Sequence, residues 1–138
     1  MTTKAKLVVS GSVAALALAA IAPAAVGERA TASNSKTVSV LNDYFATTNQ
    51  TLNPTKTTIE KGDSVTWKWG AESNPHNVKF TSYPDGLKTA DRPKSSSTKT
   101  SGSHKVYFSK RTGIYKYVCT VHEDSAGMRG KVVVETPD

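Results

Sequence analysis

The sequence predicts an all-β domain built as an antiparallel two-sheet sandwich. Three observations carry the prediction: short runs of β-branched and aromatic residues recur along the chain, Gly-containing turn signals separate them, and no run beyond the N-terminal segment keeps a helical period. A length of 138 residues bounds the answer to one core with its tails.

The first expected strand covers residues 37–41, where Val38 and Val40 alternate with Thr37 and Ser39. Residues 57–60 and 64–69 flank Lys61-Gly62-Asp63, in which Gly supplies the positive φ of a tight turn. Within 64–69, Val65, Trp67 and Trp69 fall on one face and Ser64, Thr66 and Lys68 on the other, the pattern of a half-buried strand. His76 follows a loop over residues 70–75 and opens a short segment ending in Phe80, which puts the histidine at a loop–strand junction. Residues 82–103 are mostly Ser, Thr, Lys, Pro and Gly and read as a long, mobile surface loop. Runs at 106–108, at 114–118 after the Thr112-Gly113 turn, and at 131–135 supply the remaining strands.

Residues 1–32 read as a signal peptide: Lys4 and Lys6 precede an apolar run over residues 7–22, and small residues follow around Pro23 and Ala30. The competing reading is a retained membrane anchor, since residues 7–26 are long enough to span a bilayer. Small-residue cleavage sites favour removal; residues 33–36 then form a short linker and residues 37–136 the folded domain. Export places that domain in the periplasm, the cell envelope or the extracellular space.

Cleavage after Ala32 lowers the formal charge from +7 to +5, so the domain stays basic. Its lysines are scattered among strand-like residues without a dense run, which implies a solvated surface with a bias toward acidic partners. Nucleic-acid binding is excluded for want of a basic stripe with interleaved aromatics. A monomer is expected.

Cys119 is the only cysteine, so an exported domain carries a thiol with no disulfide partner. A buried free thiol acting as a small hydrophobe is one explanation. Its neighbours give another. Cys119, His122 and Met128 share one loop between the last two strand runs, and Met128 is the only methionine besides Met1. With His76 arriving from a neighbouring strand end, the set is a thiolate, two imidazoles and a weak thioether, the trigonal donor set with a long axial ligand that suits a copper ion in electron transfer. The thiolate stabilises Cu(I), imidazole accepts both oxidation states, and the thioether holds the geometry between their separate preferences. His104 has no motif around it and is expected to be an ordinary residue.

Three stretches then carry a resemblance: Asn74-Pro75-His76-Asn77-Val78-Lys79-Phe80, Gly113-Ile114-Tyr115-Lys116-Tyr117-Val118-Cys119, and His122 followed by Gly127-Met128 and Gly130. Together they resemble the plastocyanin and amicyanin group of cupredoxins over nearly the whole exported region. The resemblance implies a Greek-key β-sandwich, one type 1 copper per chain and a shuttle between redox partner proteins. It further implies that Asn77 pins the two ligand loops together, with its backbone N–H toward the Cys119 sulfur. The spacing from His122 to Met128 is one residue longer than in the plastocyanin pattern and longer still than in amicyanin. The extra residue falls among Glu123, Asp124, Ser125 and Ala126 and sets two carboxylates beside the expected exposed edge of His122.

An enzyme of the multicopper type needs further ligands, whereas Val118 and Thr120 flank Cys119 and the chain has only three histidines. The expectation is an electron carrier and no catalytic residues. A copper protein that stores or delivers the ion without redox duty is the alternative.

Overall fold

The computed structural model describes residues 33–47, 54–71 and 73–138. The segment read as a signal peptide lies outside the described residues. Among the described residues eight strands form two four-stranded sheets: β1 (Ser35–Val40), β2 (Phe45–Ala46), β4 (Ser64–Trp69) and β6 (Gly102–Tyr107) in the first, ordered β2-β1-β4-β6. The second holds β3 (Thr55–Glu60), β5 (Lys79–Ser82), β7 (Gly113–Val118) and β8 (Arg129–Glu135), ordered β3-β8-β7-β5. The only helical pieces among the described residues are a 3₁₀ turn at Thr89–Asp91 and the four-residue α1, Glu123–Ala126.

The expected sandwich is present, and its pairing is mixed rather than wholly antiparallel. Strand β1 runs parallel to β4, and β3 parallel to β8, while β4–β6, β5–β7 and β7–β8 are antiparallel. Alternation in a sequence reports which face is buried and is silent on the direction of the neighbour. Strand β1 also begins at Ser35, inside the stretch read as a linker, because residues 33 and 34 are tied to the β3–β4 turn. Ser33 Oγ donates to the Gly62 carbonyl (2.9 Å), and Asn34 N–H donates to Asp63 Oδ1 (2.8 Å). Ser64, expected on the open face, is buried beneath that segment and donates its N–H to the Asn34 carbonyl at 2.9 Å. The turn itself needs Gly62, which sits at φ 108°.

Val65, Trp67 and Trp69 point inward as expected, together with Val38 and Val40 of β1 and Val106 of β6. From the second sheet come Ile59, Phe80, Tyr115, Tyr117, Val132 and Val134. Trp67 closes the two layers: its ring meets Phe80 edge-on at 5.7 Å and Tyr117 at 5.1 Å. A fully buried tryptophan in this position contributes about 3–5 kcal/mol against truncation to alanine. Gly130 on β8 lies under Tyr117, where an added Cβ would fall 2.5 Å from the ring hydroxyl. The absent side chain is what lets the tyrosine lie flat across its neighbouring strand.

Residues 82–103 are not a free loop. Val78 and Phe80 donate their N–H groups to the hydroxyls of Ser96 (2.9 Å) and Ser95 (3.1 Å), and Ser96 N–H donates to the Val78 carbonyl. His76 and Lys99 exchange both backbone hydrogen bonds, at 2.9 and 2.8 Å. The serine-rich stretch thus runs as a surrogate strand along the His76 segment. Polar composition placed it at the surface and hid its backbone pairing.

Candidate metal centre

His76 enters the site from the segment before β5, fixed on one side by its backbone exchange with Lys99 and on the other by Trp69, whose Nε1–H donates to the His76 carbonyl at 3.2 Å. Cys119 directly follows β7, the strand that Tyr115 and Tyr117 hold in the core. The chain then turns back at once: His122 N–H donates to the Cys119 carbonyl (3.2 Å), and Gly127 N–H to the Glu123 carbonyl (3.0 Å). Gly127 at φ 61° closes that short helical turn in the left-handed region, a conformation glycine adopts freely. The carbonyl of Met128 accepts the Cys119 N–H at 2.9 Å, zipping the loop shut where β8 begins.

These constraints bring His76, Cys119 and His122 together at one end of the sandwich. The two Nδ1 atoms stand 3.0 Å apart, and the Cys119 sulfur lies 3.6 Å from Nδ1 of His76 and 3.8 Å from that of His122. A point equidistant from the three atoms lies about 2.0 Å from each, the length of a first-row metal–imidazole bond and slightly short of a metal–thiolate bond. Two soft-to-borderline nitrogens and a thiolate on one trigonal face are a donor set for copper. Met128 is wholly buried, as are His76 and Cys119, while His122 is half-buried.

Burial holds His76 below the ordinary histidine pKa; the neighbouring His122 pushes the same way, and Asp43 opposes it. Burial and His122 both favour the neutral imidazole, the form that can ligate a metal. Asn77 binds the two ligand-bearing segments together: its Nδ2 donates to Thr120 Oγ1 (2.8 Å), and its Oδ1 accepts the Thr120 N–H (2.9 Å). The pin expected of Asn77 is thus made by its side chain onto the residue after Cys119.

His104 lies apart from the cluster; its Nε2 is 2.9 Å from the Lys94 carbonyl, and its ring rests against Trp67. Sequence reading missed the contacts of Trp69, Ser95, Ser96 and Lys99 with the His76 segment. Trp69 was legible only as core, and nothing in a serine run announces which N–H groups it will serve.

Two β-sheets closed on an aromatic core, with a Cys–His–His cluster in the loops at one end, define a cupredoxin. The chain belongs to the plastocyanin/azurin family of copper binding proteins, whose pattern it matches over residues 40–135, and copper is the cofactor of that family. Among solved structures it is similar to amicyanin. A methionine-to-glutamine variant of amicyanin in the Cu(I) state matches with 26% identity and a TM-score of 0.52, covering 74% of this chain and 83% of that one. A methionine-to-alanine variant in its Cu(I) form matches with 28% identity and a TM-score of 0.53, covering 77% and 87%. A comparison with curated protein sequences finds no match.

Proposed function

We propose that the chain is a single-electron carrier in which His76, Cys119, His122 and Met128 would hold one type 1 copper. Bound there, copper supplies a one-electron couple between Cu(II) and Cu(I). The observation that supports this reading most directly is the convergence of the three donor atoms at 3.0–3.8 Å from one another.

The residues divide the work. Cys119 and His76 are closed off from water, which keeps the thiol from oxidative side reactions and the local dielectric low. His122 keeps an exposed edge, the natural crossing point for an electron. The Asn77–Thr120 pair, the His76–Lys99 exchange, the Cys119–Met128 bond and the His122 N–H on the Cys119 carbonyl hold the ligand-bearing segments in place, so little need move when the charge changes. Such rigidity favours electron transfer over storage or delivery, which asks for an easily opened site. The partners are redox proteins, an electron donor and an acceptor, met by a monomer. The apolar N-terminal run and the lone thiol support an exported setting in the periplasm, the cell envelope or outside the cell, with membrane attachment only if that run is retained.

Loading purified protein with Cu(II) tests the reading. The expected product is intensely blue from sulfur-to-copper charge transfer, bleaches reversibly on reduction, and loses its colour in Cys119→Ser. A colourless copper complex, or a colour unchanged in that variant, overturns it.

A further inference from the structure

Lysines that are far apart in the sequence stand side by side on the second sheet. Lys56 of β3 pairs in register with Lys131 of β8, and Lys131 in turn with Lys116 of β7. All three point away from the core, since their neighbours Thr57, Tyr115, Tyr117 and Val132 are buried. The next position toward the metal loop carries Arg129 of β8 and Lys79 of β5, on either side of Val118. At the opposite end of the same face Glu60 and Glu135 are also matched in register.

Like charges directly opposite one another destabilise a sheet, and opposite charges there stabilise it. This face keeps cations with cations and carboxylates with carboxylates, about 13 Å apart along β3 at the usual strand rise. None of the three lysines makes an ion pair with a carboxylate among the described residues. The result is a basic plate roughly 10 Å wide at the normal strand spacing. It adjoins Cys119 and Met128, the two ends of the metal loop.

We propose that this plate is a docking surface for an acidic patch of a partner protein, Lys56, Lys116 and Lys131 forming its centre. Ammonium groups on flexible stems meet carboxylates without demanding one geometry, which suits brief encounters steered by charge. A lipid surface fits less well, because the exposed large apolar side chains near the plate stand singly, Ile114 one row further from the metal loop and Val121 within that loop, and form no apolar face to insert. The choice of a protein partner rests on the electron-carrier reading; the plate does not.

Poly-L-glutamate is the probe, measured at low and moderate ionic strength with metal-free protein, so that the outcome is independent of copper colour. The variant Lys56→Gln/Lys116→Gln/Lys131→Gln is compared with Lys36→Gln/Lys68→Gln/Lys105→Gln, which removes the same charge from exposed positions of the other sheet. The plate variant is expected to bind about tenfold more weakly or worse, and the control within about threefold of the parent. Lys131→Gln alone, at the centre of the row, is expected to lose at least about threefold. The plate variant should also melt no lower than the parent, since it relieves like-charge contacts. Equal losses in both triple variants mean net charge alone and overturn the proposal. Capture by phosphatidylglycerol vesicles at a salt concentration that abolishes polyglutamate binding overturns the choice of a protein partner.

Discussion

Replacing Asn77 by alanine separates the two loops that carry His76 and Cys119. The substitution removes two hydrogen bonds to Thr120, of 2.8 and 2.9 Å, and leaves partners that water can still reach. Each such bond nets about 0.5–1.5 kcal/mol, and exposure places this pair toward the lower half, so metal-free Asn77→Ala should lose about 1–2 kcal/mol. In a domain of this size that is a fall of roughly 5–10 °C in melting midpoint. A purely structural role would end there. A positioning role adds a second effect, because copper must then order loops that were previously held, and contacts behind metal ligands typically account for about 10–100-fold in affinity. Copper competition against a chelator of known affinity, beside thermal melts with and without metal, reads both quantities. Asn77→Asp keeps the acceptor for the Thr120 N–H and lets the Thr120 hydroxyl turn round to donate, so it should recover more than half of each loss. An Asn77→Ala protein that melts normally without metal and binds copper as tightly as the parent refutes the reasoning.

Two further outcomes test the packing. Gly130→Ala drives a Cβ to 2.5 Å from the Tyr117 hydroxyl and should destabilise the domain by about 2 kcal/mol or more, measured by denaturant unfolding; Tyr117→Phe in the same chain should restore part of the loss. Tyr115 and Tyr117 are both raised above the ordinary tyrosine value of 10.0 by burial. Their neutral forms are favoured in the fold, so the associated stability is intact below pH 10.0 and is lost as the unfolded chain ionises above it. A pH series of unfolding curves should therefore fall on the alkaline side, and less steeply in Tyr117→Phe. Among the described residues the buried Tyr117 hydroxyl makes no hydrogen bond of ordinary geometry and has only the Trp67 side chain beside it, so that variant should cost little at neutral pH.

The sequence carried more about the site than about the sheets. The bounds of β4 were legible because Val65, Trp67 and Trp69 alternate cleanly with a lysine and a threonine, and β7 because two buried tyrosines alternate with Lys116. Cys119 and His122 were legible because they share one loop, and His76, 43 residues from Cys119, because of the residues flanking it at a loop–strand junction. What stayed hidden is long-range. The parallel pairing of β1 with β4, the docking of Ser95 and Ser96 and the row of Lys56, Lys131 and Lys116 each join residues whose separation in the chain says nothing of their distance in space. The early start of β6 at Gly102 belongs with them: its ladder partner is Trp69, and only that pairing makes a strand of a Gly-Ser-His-Lys stretch.

The surrogate strand beside His76 has a consequence for how these molecules treat one another. Strand β5 ends its sheet, and an open sheet edge is a template onto which a second copy can zip. Here the outward N–H groups of His76, Val78 and Phe80 are all taken, by the Lys99 carbonyl and by the hydroxyls of Ser96 and Ser95. Side-chain hydroxyls satisfy the edge without presenting a fresh ladder of their own. The margin nearest the metal thereby offers a second copy no free N–H groups at His76, Val78 and Phe80.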